Sequence, residues 1–532
     1  MHPPGLEPGI TVPKTVVISF SPQVQWRNTT IFLGNMQKIY YSTYMKFSIP
    51  KEVEFVTDTL IKGGFDAYLV GGCTRDLFIG RKPKDWDITT NAKPEEITSL
   101  FPDQSFYNND FGTVGVTLET EDESVQVIEV TPYRSEEGYS DSRRPDKVSF
   151  GVSLEDDLSR RDFTINAIAY DPSKGQVVDL YKGQEDIKGK VLKTVGVADE
   201  RFQEDALRMM RAVRLSAELN FALDGETAAA IARNASNLSH ISKERIRDEF
   251  IRILKSKEPM MAIVVCQKLG ILQYIAPDLE RGVGIAQNQA HKFDVFEHLI
   301  RTMQHGADKD WAWEIRLAGL FHDVSKPETR RFDEVKQDYT FHNHEVVGAR
   351  VTKKALTDLK FPKKTIERVT KLVRWHMFFS DPDLITLSAV RRMIRNVGEE
   401  NIWDLLNLRI CDRVGTGRPK EQPFRFRKYK SFVEEALRDP ISVKMLKVDG
   451  VRLMEMLHMN PGPKIGYMLH TLLEEVLDDP SLNTAEILEK RATELNKLSL
   501  EDLKKSAEVG KKKIEEQEEQ AIKDIRSKHH VN

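Results

Sequence analysis

Apolar residues change their pattern once along this chain, and the change divides it. Up to about residue 198, short apolar runs of strand length recur between helical stretches. They are Ala67-Tyr68-Leu69-Val70, Asp85-Trp86-Asp87-Ile88, Val114-Gly115-Val116-Thr117-Leu118 and Val125-Gln126-Val127-Ile128-Glu129-Val130, the last two turning through Asp122-Glu123. From about 199 to 500 such runs nearly vanish, and apolar residues fall at helical spacing. This predicts a mixed α/β head followed by a long helical part. The 532 residues are 40% hydrophobic, enough to give both parts a core.

The ends differ from both parts. Within residues 1–44 Glu7 is the only acid, and prolines recur at 3, 4, 8, 13 and 22. Arg and Ser are too sparse there for a transit peptide, and no apolar stretch precedes a small-residue cleavage site. We expect a disordered or misassigned start, with Met36 or Met45 as initiator. Beyond about 500 the chain is rich in Lys and Glu, a solvated helix or tail. No run of about 18 apolar residues exists, which excludes a membrane-spanning helix. Cys73, Cys266 and Cys411 are far apart and form no disulfide framework or cysteine zinc motif, which fits a reducing cytoplasm. A net charge of -3 excludes a globally basic nucleic-acid binder but leaves room for a local basic groove.

The head carries its chemistry in an ordered set of motifs. Gly71-Gly72-Cys73-Thr74-Arg75-Asp76 is followed by Asp85-Trp86-Asp87. Residues i and i+2 of a strand share a side, so Asp85 and Asp87 present paired carboxylates, oxygen donors suited to Mg²⁺. Gly71 and Gly72 allow close backbone approach to a phosphate, and Arg75 adds positive charge. Glu129, on a later strand, is either a third carboxylate or an exposed strand residue. Arg160-Arg161-Asp162-Phe163-Thr164-Ile165-Asn166 sets two arginines before an apolar helix. They suit a triphosphate, with Asp162 available to a ribose hydroxyl, or else they cap a neighbouring helix on the surface. Helical spacing through Glu204-Asp205-Ala206-Leu207-Arg208-Met209-Met210-Arg211 places Glu204, Arg208 and Arg211 near one face, with Asp205 beside it. That face is either an ordinary salt-bridged one or a donor/acceptor pattern, acceptor from Asp205 and donor from Arg208, able to select a nucleotide base.

These three clusters, in order, resemble the class II tRNA nucleotidyltransferases (CCA-adding enzymes) and their poly(A) polymerase relatives, over roughly residues 46–500. The resemblance implies an α+β fold: a polymerase beta-like head of mixed sheet and helices at 46–198, then an all-helical neck at 199–255, an HD-type body at 256–430 and a C-terminal RNA-binding tail at 431–500. It implies template-independent addition of CCA to tRNA from CTP and ATP with Mg²⁺. Asp85, Asp87 and Glu129 would be catalytic, and Gly71, Gly72, Arg75, Arg160, Arg161, Asp162, Asn166 and Arg211 would hold the nucleotide. Asp205 and Arg208 would pair with its base. Ser242-Lys243-Glu244-Arg245-Ile246-Arg247-Asp248-Glu249-Phe250 is similar to the motif that braces this selecting helix. Tyr133 to Asp146 is similar to the family's flexible loop, which accompanies A addition. The same motifs also serve a poly(A) polymerase or the A-adding member of a split pair.

His298, His322-Asp323 and Asp412 resemble the HD metal-dependent phosphohydrolase pattern, with Lys326 following as that pattern has it. Imidazole and carboxylate together suit a transition ion such as Ni²⁺, Co²⁺ or Mn²⁺. His342, His344 and His376 extend the site toward a second ion. A phosphohydrolase whose head merely binds nucleotides is thus a further reading, and an HD-type scaffold with histidines bonded in its core is the plainer one. Phe424-Arg425-Phe426-Arg427-Lys428-Tyr429-Lys430 is either an RNA-touching stretch or a solvated helix face with its rings turned inward.

Overall fold

The computed structural model describes residues 43–107, 112–138, 147–289, 291–378 and 385–506. The expected irregular start, Tyr139 to Asp146 of the expected flexible loop and most of the charged tail lie outside the described residues.

The head's strands are β1 (Thr43–Tyr44), β2 (Tyr68–Val70), β3 (Trp86–Thr90), β4 (Ser105–Tyr107), β5 (Val114–Thr117), β6 (Val127–Pro132), β7 (Arg134–Glu137), β8 (Lys147–Phe150), β9 (Ile168–Asp171) and β10 (Gln176–Asp179). Eight form one mixed sheet in the order β1-β10-β9-β2-β3-β6-β5-β4, and β7 pairs with β8 in a separate hairpin. Only β3 and β6 run parallel in this sheet; the connection between them carries the helix Pro94–Leu100 and the β4–β5 pair. Along β3, Trp86 and Ile88 are buried in the head's core with Val53, Val56 and Leu60 of the helix Lys51–Lys62. The intervening Asp87 and Thr89 therefore face the other side, where the helix Leu154–Ser159 packs: Thr89 Oγ1 donates to Asp157 Oδ2 at 3.2 Å. The helix Lys51–Lys62 stops at Gly63-Gly64, as expected, with Gly64 at φ +87°.

After the head, a continuous core runs from Phe163 and Ile165 through Met209, Met210 and Val213 to Leu503. Two features depart from the all-helical expectation. Val191–Leu192 pairs in parallel with Ala222–Leu223, and Arg331–Asp333 forms a hairpin with Asp338–Thr340. Each strand is two or three residues long, too short to show a period of two in sequence. The hairpin is held by its turn: Asp333 Oδ1 accepts from Val335 N and Lys336 N, and Phe332 packs edge-on against Tyr339. The segment from Phe424 is a helix (Phe424–Ala436) in which the rings of Phe426 and Tyr429 turn inward and that of Phe424 is exposed. Among the described residues no helix is long and apolar enough to cross a membrane.

Candidate functional site

The strand register gathers the head carboxylates. Asp87 lies opposite Val70 on β2 and beside Glu129 on β6, so Asp87 and Glu129 share one face. Asp85 sits in the bend just before β3 and is exposed, whereas Asp87 and Glu129 are half-buried. Glu129 is thus not the exposed strand residue that was its alternative. Gly71 adopts φ +76°, a conformation that favours glycine, and a Cβ there would stand 3.0 Å from Asp87 Oδ2 and 3.5 Å from Arg161 Nη1. A Cβ at Gly72 would stand 3.6 Å from Arg75 Nη2 and 3.9 Å from Asp85 Oδ1. Each glycine of the pair thus leaves room beside a carboxylate and a guanidinium.

Burial, then the neighbouring Asp85 and Glu129, push Asp87 up to about 7, although Arg161 and Arg211 pull against them. Carboxylate oxygens are the donors that divalent cations such as Mg²⁺ take. Asp85, Asp87 and Glu129 are the residues that would hold them.

The arginines are fixed by a network that the sequence shows only in part. Arg160 Nη2 and Arg161 Nη2 reach Asp157 Oδ1 and Oδ2 at 2.7 and 3.0 Å. Asp157 is fully buried; burial pushes its carboxyl up, and Arg161 and Arg160 more than reverse this, holding it below the usual range. Sequence reasoning missed Asp157, because Leu154-Glu155-Asp156-Asp157 reads as an ordinary acidic first turn. Arg160 and Arg161 precede a short 3-10 turn (Thr164–Asn166) and then β9, not the apolar helix expected. Asp162 accepts from Arg211 Nε and Nη2 at 2.9 and 2.6 Å and from Asn166 Nδ2 at 3.1 Å, partners with which a ribose hydroxyl would compete. Burial opposes, but Arg211 and Asn166 bring Asp162 down to about 2. Asn166 Oδ1 in turn accepts from Arg75 Nη1 at 3.0 Å, so Arg75, Asn166, Asp162 and Arg211 form one chain of bonds.

The selecting segment is broken, where one continuous helix was expected. The helix Ala198–Glu204 ends at Asp205, which is extended (φ -139°, ψ 102°), and Leu207–Leu219 begins after it. Asp205 Oδ1 accepts from Leu207 N at 3.0 Å, a local side-chain bond that competes with helix continuation. Arg245 Nη2 holds Asp205 Oδ2 at 2.8 Å, and Arg214 Nε meets the buried Glu249 at 2.7 Å. The segment Ser242 to Phe250 thus contacts the selecting helix at two points. Arg208 is buried and donates to Glu204 Oε2 at 2.5 Å and to the carbonyl of Arg160 at 3.1 Å. Arg208 N donates to the Asp205 carbonyl at 3.0 Å, while their side chains are held by other groups.

In the body, His298, His322, Asp323 and Asp412 converge. His298 Nε2 lies 3.0 Å from His322 Nε2, 3.2 Å from Asp323 Oδ2 and 3.4 Å from Asp412 Oδ1. His344 Nε2 and His376 Nε2 lie 3.1 and 3.4 Å from Asp323 Oδ1, so the two oxygens of one carboxylate face two sets of imidazoles. These two nitrogens and Asp323 Oδ1 are buried without hydrogen-bond geometry. His322, His344 and His376 direct Nδ1 at the carbonyls of Gly319, Phe341 and Val373, at 2.8, 2.6 and 2.7 Å, which leaves each Nε2 facing inward. Burial pulls His322 down, but Asp323 and Asp412 raise it to about 10, a field that favours a cation. Nitrogen and carboxylate donors aligned in this way fit a transition ion. His342 is exposed and takes no part, a correction to its inclusion; the turn after Phe341 directs it to solvent and His344 inward. His291, half-buried and also near the cluster, was not identified from sequence.

Comparison with known proteins agrees with this layout. Residues 67–193 match the Poly A polymerase head domain, 220–282 the probable RNA and SrmB-binding site of polymerase A, and 295–414 the HD domain. A CCA-adding enzyme of Lactobacillus delbrueckii is 47% identical over 207 residues, covering 39% of this chain and 51% of that protein. Several such curated relatives are matched over only about half of their length. A CC-adding tRNA nucleotidyltransferase of Thermus thermophilus is 33% identical over 428 residues, 77% of this chain and 89% of that one. A solved Bacillus stearothermophilus CCA-adding enzyme in complex with CTP has a TM-score of 0.61 at 28% identity, covering 84% of this chain and 97% of that one. With a match of that length to the Thermus relative, and with head, RNA-binding and HD regions in order, the chain belongs to the tRNA nucleotidyltransferase and poly(A) polymerase family.

Proposed function

We propose that this chain builds CCA at the 3′ end of tRNA from CTP and ATP without a nucleic-acid template. One observation carries the reading: Asp87, flanked by Asp85 and Glu129, faces Arg161 and Arg211, and Arg211 lies on the helix that follows Asp205 and carries Arg208. Magnesium on the three carboxylates would stabilise charge developing at the α-phosphate and activate the tRNA hydroxyl. Arg160 and Arg161, anchored on Asp157, offer positive charge to the triphosphate. Arg211, Asp162, Asn166 and Arg75 form a fixed wall beside it. Asp205 and Arg208 supply the acceptor and donor for the base once it competes with Arg245 and Glu204 for them. The head, neck, HD-type body and tail would divide at residues 198, 255, 430 and 500. Three free, buried cysteines support placement in the cytoplasm.

Incubating the protein with tRNA that lacks CCA tests this. CTP alone should add two residues, and CTP with ATP three. Arrest at two identifies a CC-adding enzyme, and long A tracts identify a poly(A) polymerase. Arg208→Ala should blur the choice between C and A by about tenfold or more, one bidentate contact being worth ~1–3 kcal/mol of discrimination. A variant that still selects C and then A normally sinks the amino-acid-template reading.

The body supports a second activity, metal-dependent phosphohydrolysis, because His344 Nε2, His376 Nε2 and Asp323 Oδ1 are buried donors lacking hydrogen bonds. Phosphomonoester and cyclic phosphodiester hydrolysis should appear with Ni²⁺, Co²⁺ or Mn²⁺ and vanish in the His322→Ala/Asp323→Ala double variant. If neither substrate is hydrolysed with any of these ions, the body is scaffold.

A further inference from the structure

The His298, His322-Asp323, Asp412 pattern does not include one nearby imidazole. His291, His298 and Asp323 each offer a ligand atom, and these atoms lie within 4.8 Å of one another. His291 stands seven residues before His298, ahead of the helix Val295–Asp308. Its Nδ1 is 2.6 Å from Asn288 Oδ1. An amide oxygen only accepts, so Nδ1 carries the proton and Nε2 keeps its lone pair. His322, His344 and His376 have the same arrangement, with a carbonyl in place of the amide.

That nitrogen of His291 faces a buried ammonium. His291 Nε2 lies 3.4 Å from Lys326 Nζ, and that ammonium contacts Asp323 Oδ2 at 2.6 Å and Gln287 Oε1 at 2.7 Å. An imidazole nitrogen and a carboxylate oxygen thus converge on one buried cation, the donor pair a transition ion takes. We infer that His291 is a further ligand of the ion beside His298 and Asp323, with Asn288 fixing its ring. This rests on reading the cluster as a metal site. His298, His322, His344 and His376 are buried and His291 is half-buried, so His291 is the ligand on the solvent side.

Metal-stripped full-length protein is titrated with Co²⁺ by calorimetry and by its visible absorption. Ions still bound by the His322→Ala/Asp323→Ala variant belong to the head and are subtracted. His291→Gln should then weaken body binding by at least about tenfold and shift the absorption, since partners that only orient a ligand already contribute 10–100-fold. Asn288→Ala should weaken it in the same direction, by less. A native protein binding no more Co²⁺ than the double variant overturns both the metal reading and the role of His291. Native binding with His291→Gln unchanged within about twofold overturns only the latter. A second measurement needs no substitution: bound Co²⁺ should slow modification of His291 by diethyl pyrocarbonate, read by mass spectrometry. An equal rate with and without the ion also overturns the assignment.

Discussion

Asp87→Asn stops nucleotide addition and, in metal-free protein, raises the melting temperature at pH 8. The two effects share a cause. Asn keeps the volume and one oxygen but removes the charge that would bind a divalent cation. Electrostatic stabilisation by such an ion contributes several kcal/mol, so incorporation of CMP into tRNA lacking CCA should fall by at least about 10³-fold. The stability effect runs the other way, because burial and the charges of Asp85 and Glu129 hold Asp87 at about 7 against 3.8 for an ordinary aspartate. Between those values the folded chain keeps a proton that the unfolded chain has released. Metal-free stability therefore falls as pH rises from about 4 to about 7 and levels off above. Asn at this position removes that slope. Added Mg²⁺ should stabilise the native protein and have less effect on the variant. Transfer that survives in Asp87→Asn, or a variant that melts below the native protein without metal, shows that Asp87 is a structural residue and not a metal-binding one.

How much of this site could be read from the sequence depends on where each partner sits along the chain. The nearness of Asp85 to Asp87 is legible in their spacing, although Asp85 lies in the bend before β3 and not in the strand, and the Gly71-Gly72 pair is legible because it directly follows a strand. Glu129 was left open for a physical reason. Its place beside Asp87 depends on a parallel register between strands about forty residues apart, and no local pattern encodes that. The break at Asp205 was hidden because its neighbours are good helix formers and because the grip of Arg245, 40 residues away, is tertiary, although the bond to Leu207 N is local. The bond from Arg211 to Asp162 is not legible in the sequence because the two residues are 49 apart. In the body the His-Asp dipeptide gave the cluster away, while His342 and His344, two residues apart, could be separated only by the turn that turns one outward. The HD pattern contains no position for His291. The overall division into mixed head and helical body was legible throughout, since it rests on periodicity over hundreds of residues. The hairpin Arg331–Thr340 was not, being too short for any period.

Asp157→Ala has the largest expected cost in stability. The carboxylate is fully buried and accepts from Arg160, Arg161 and Thr89. Its removal takes from two guanidiniums, each only about 15% exposed, the buried carboxylate that binds both. Breaking a buried pair from one side costs ~3–5 kcal/mol. Calorimetry should show the melting temperature falling by several degrees. Asp157→Asn should fall less, since it still accepts from an arginine and from Thr89. The pH dependence has the opposite sign to that of Asp87. Arg161 and Arg160 hold Asp157 below 3.8, so its stabilisation is complete above that value and is lost as pH falls below it toward the lowered folded-state value. Because Arg161 also borders Gly71 and Asp87, loosening it should raise the KM for CTP and ATP together, without the selective loss expected of Arg208→Ala. An Asp157→Ala protein that melts with the native one and keeps its KM values would show that Arg160 and Arg161 are held by other groups, and the proposed triphosphate seat would lose its anchor.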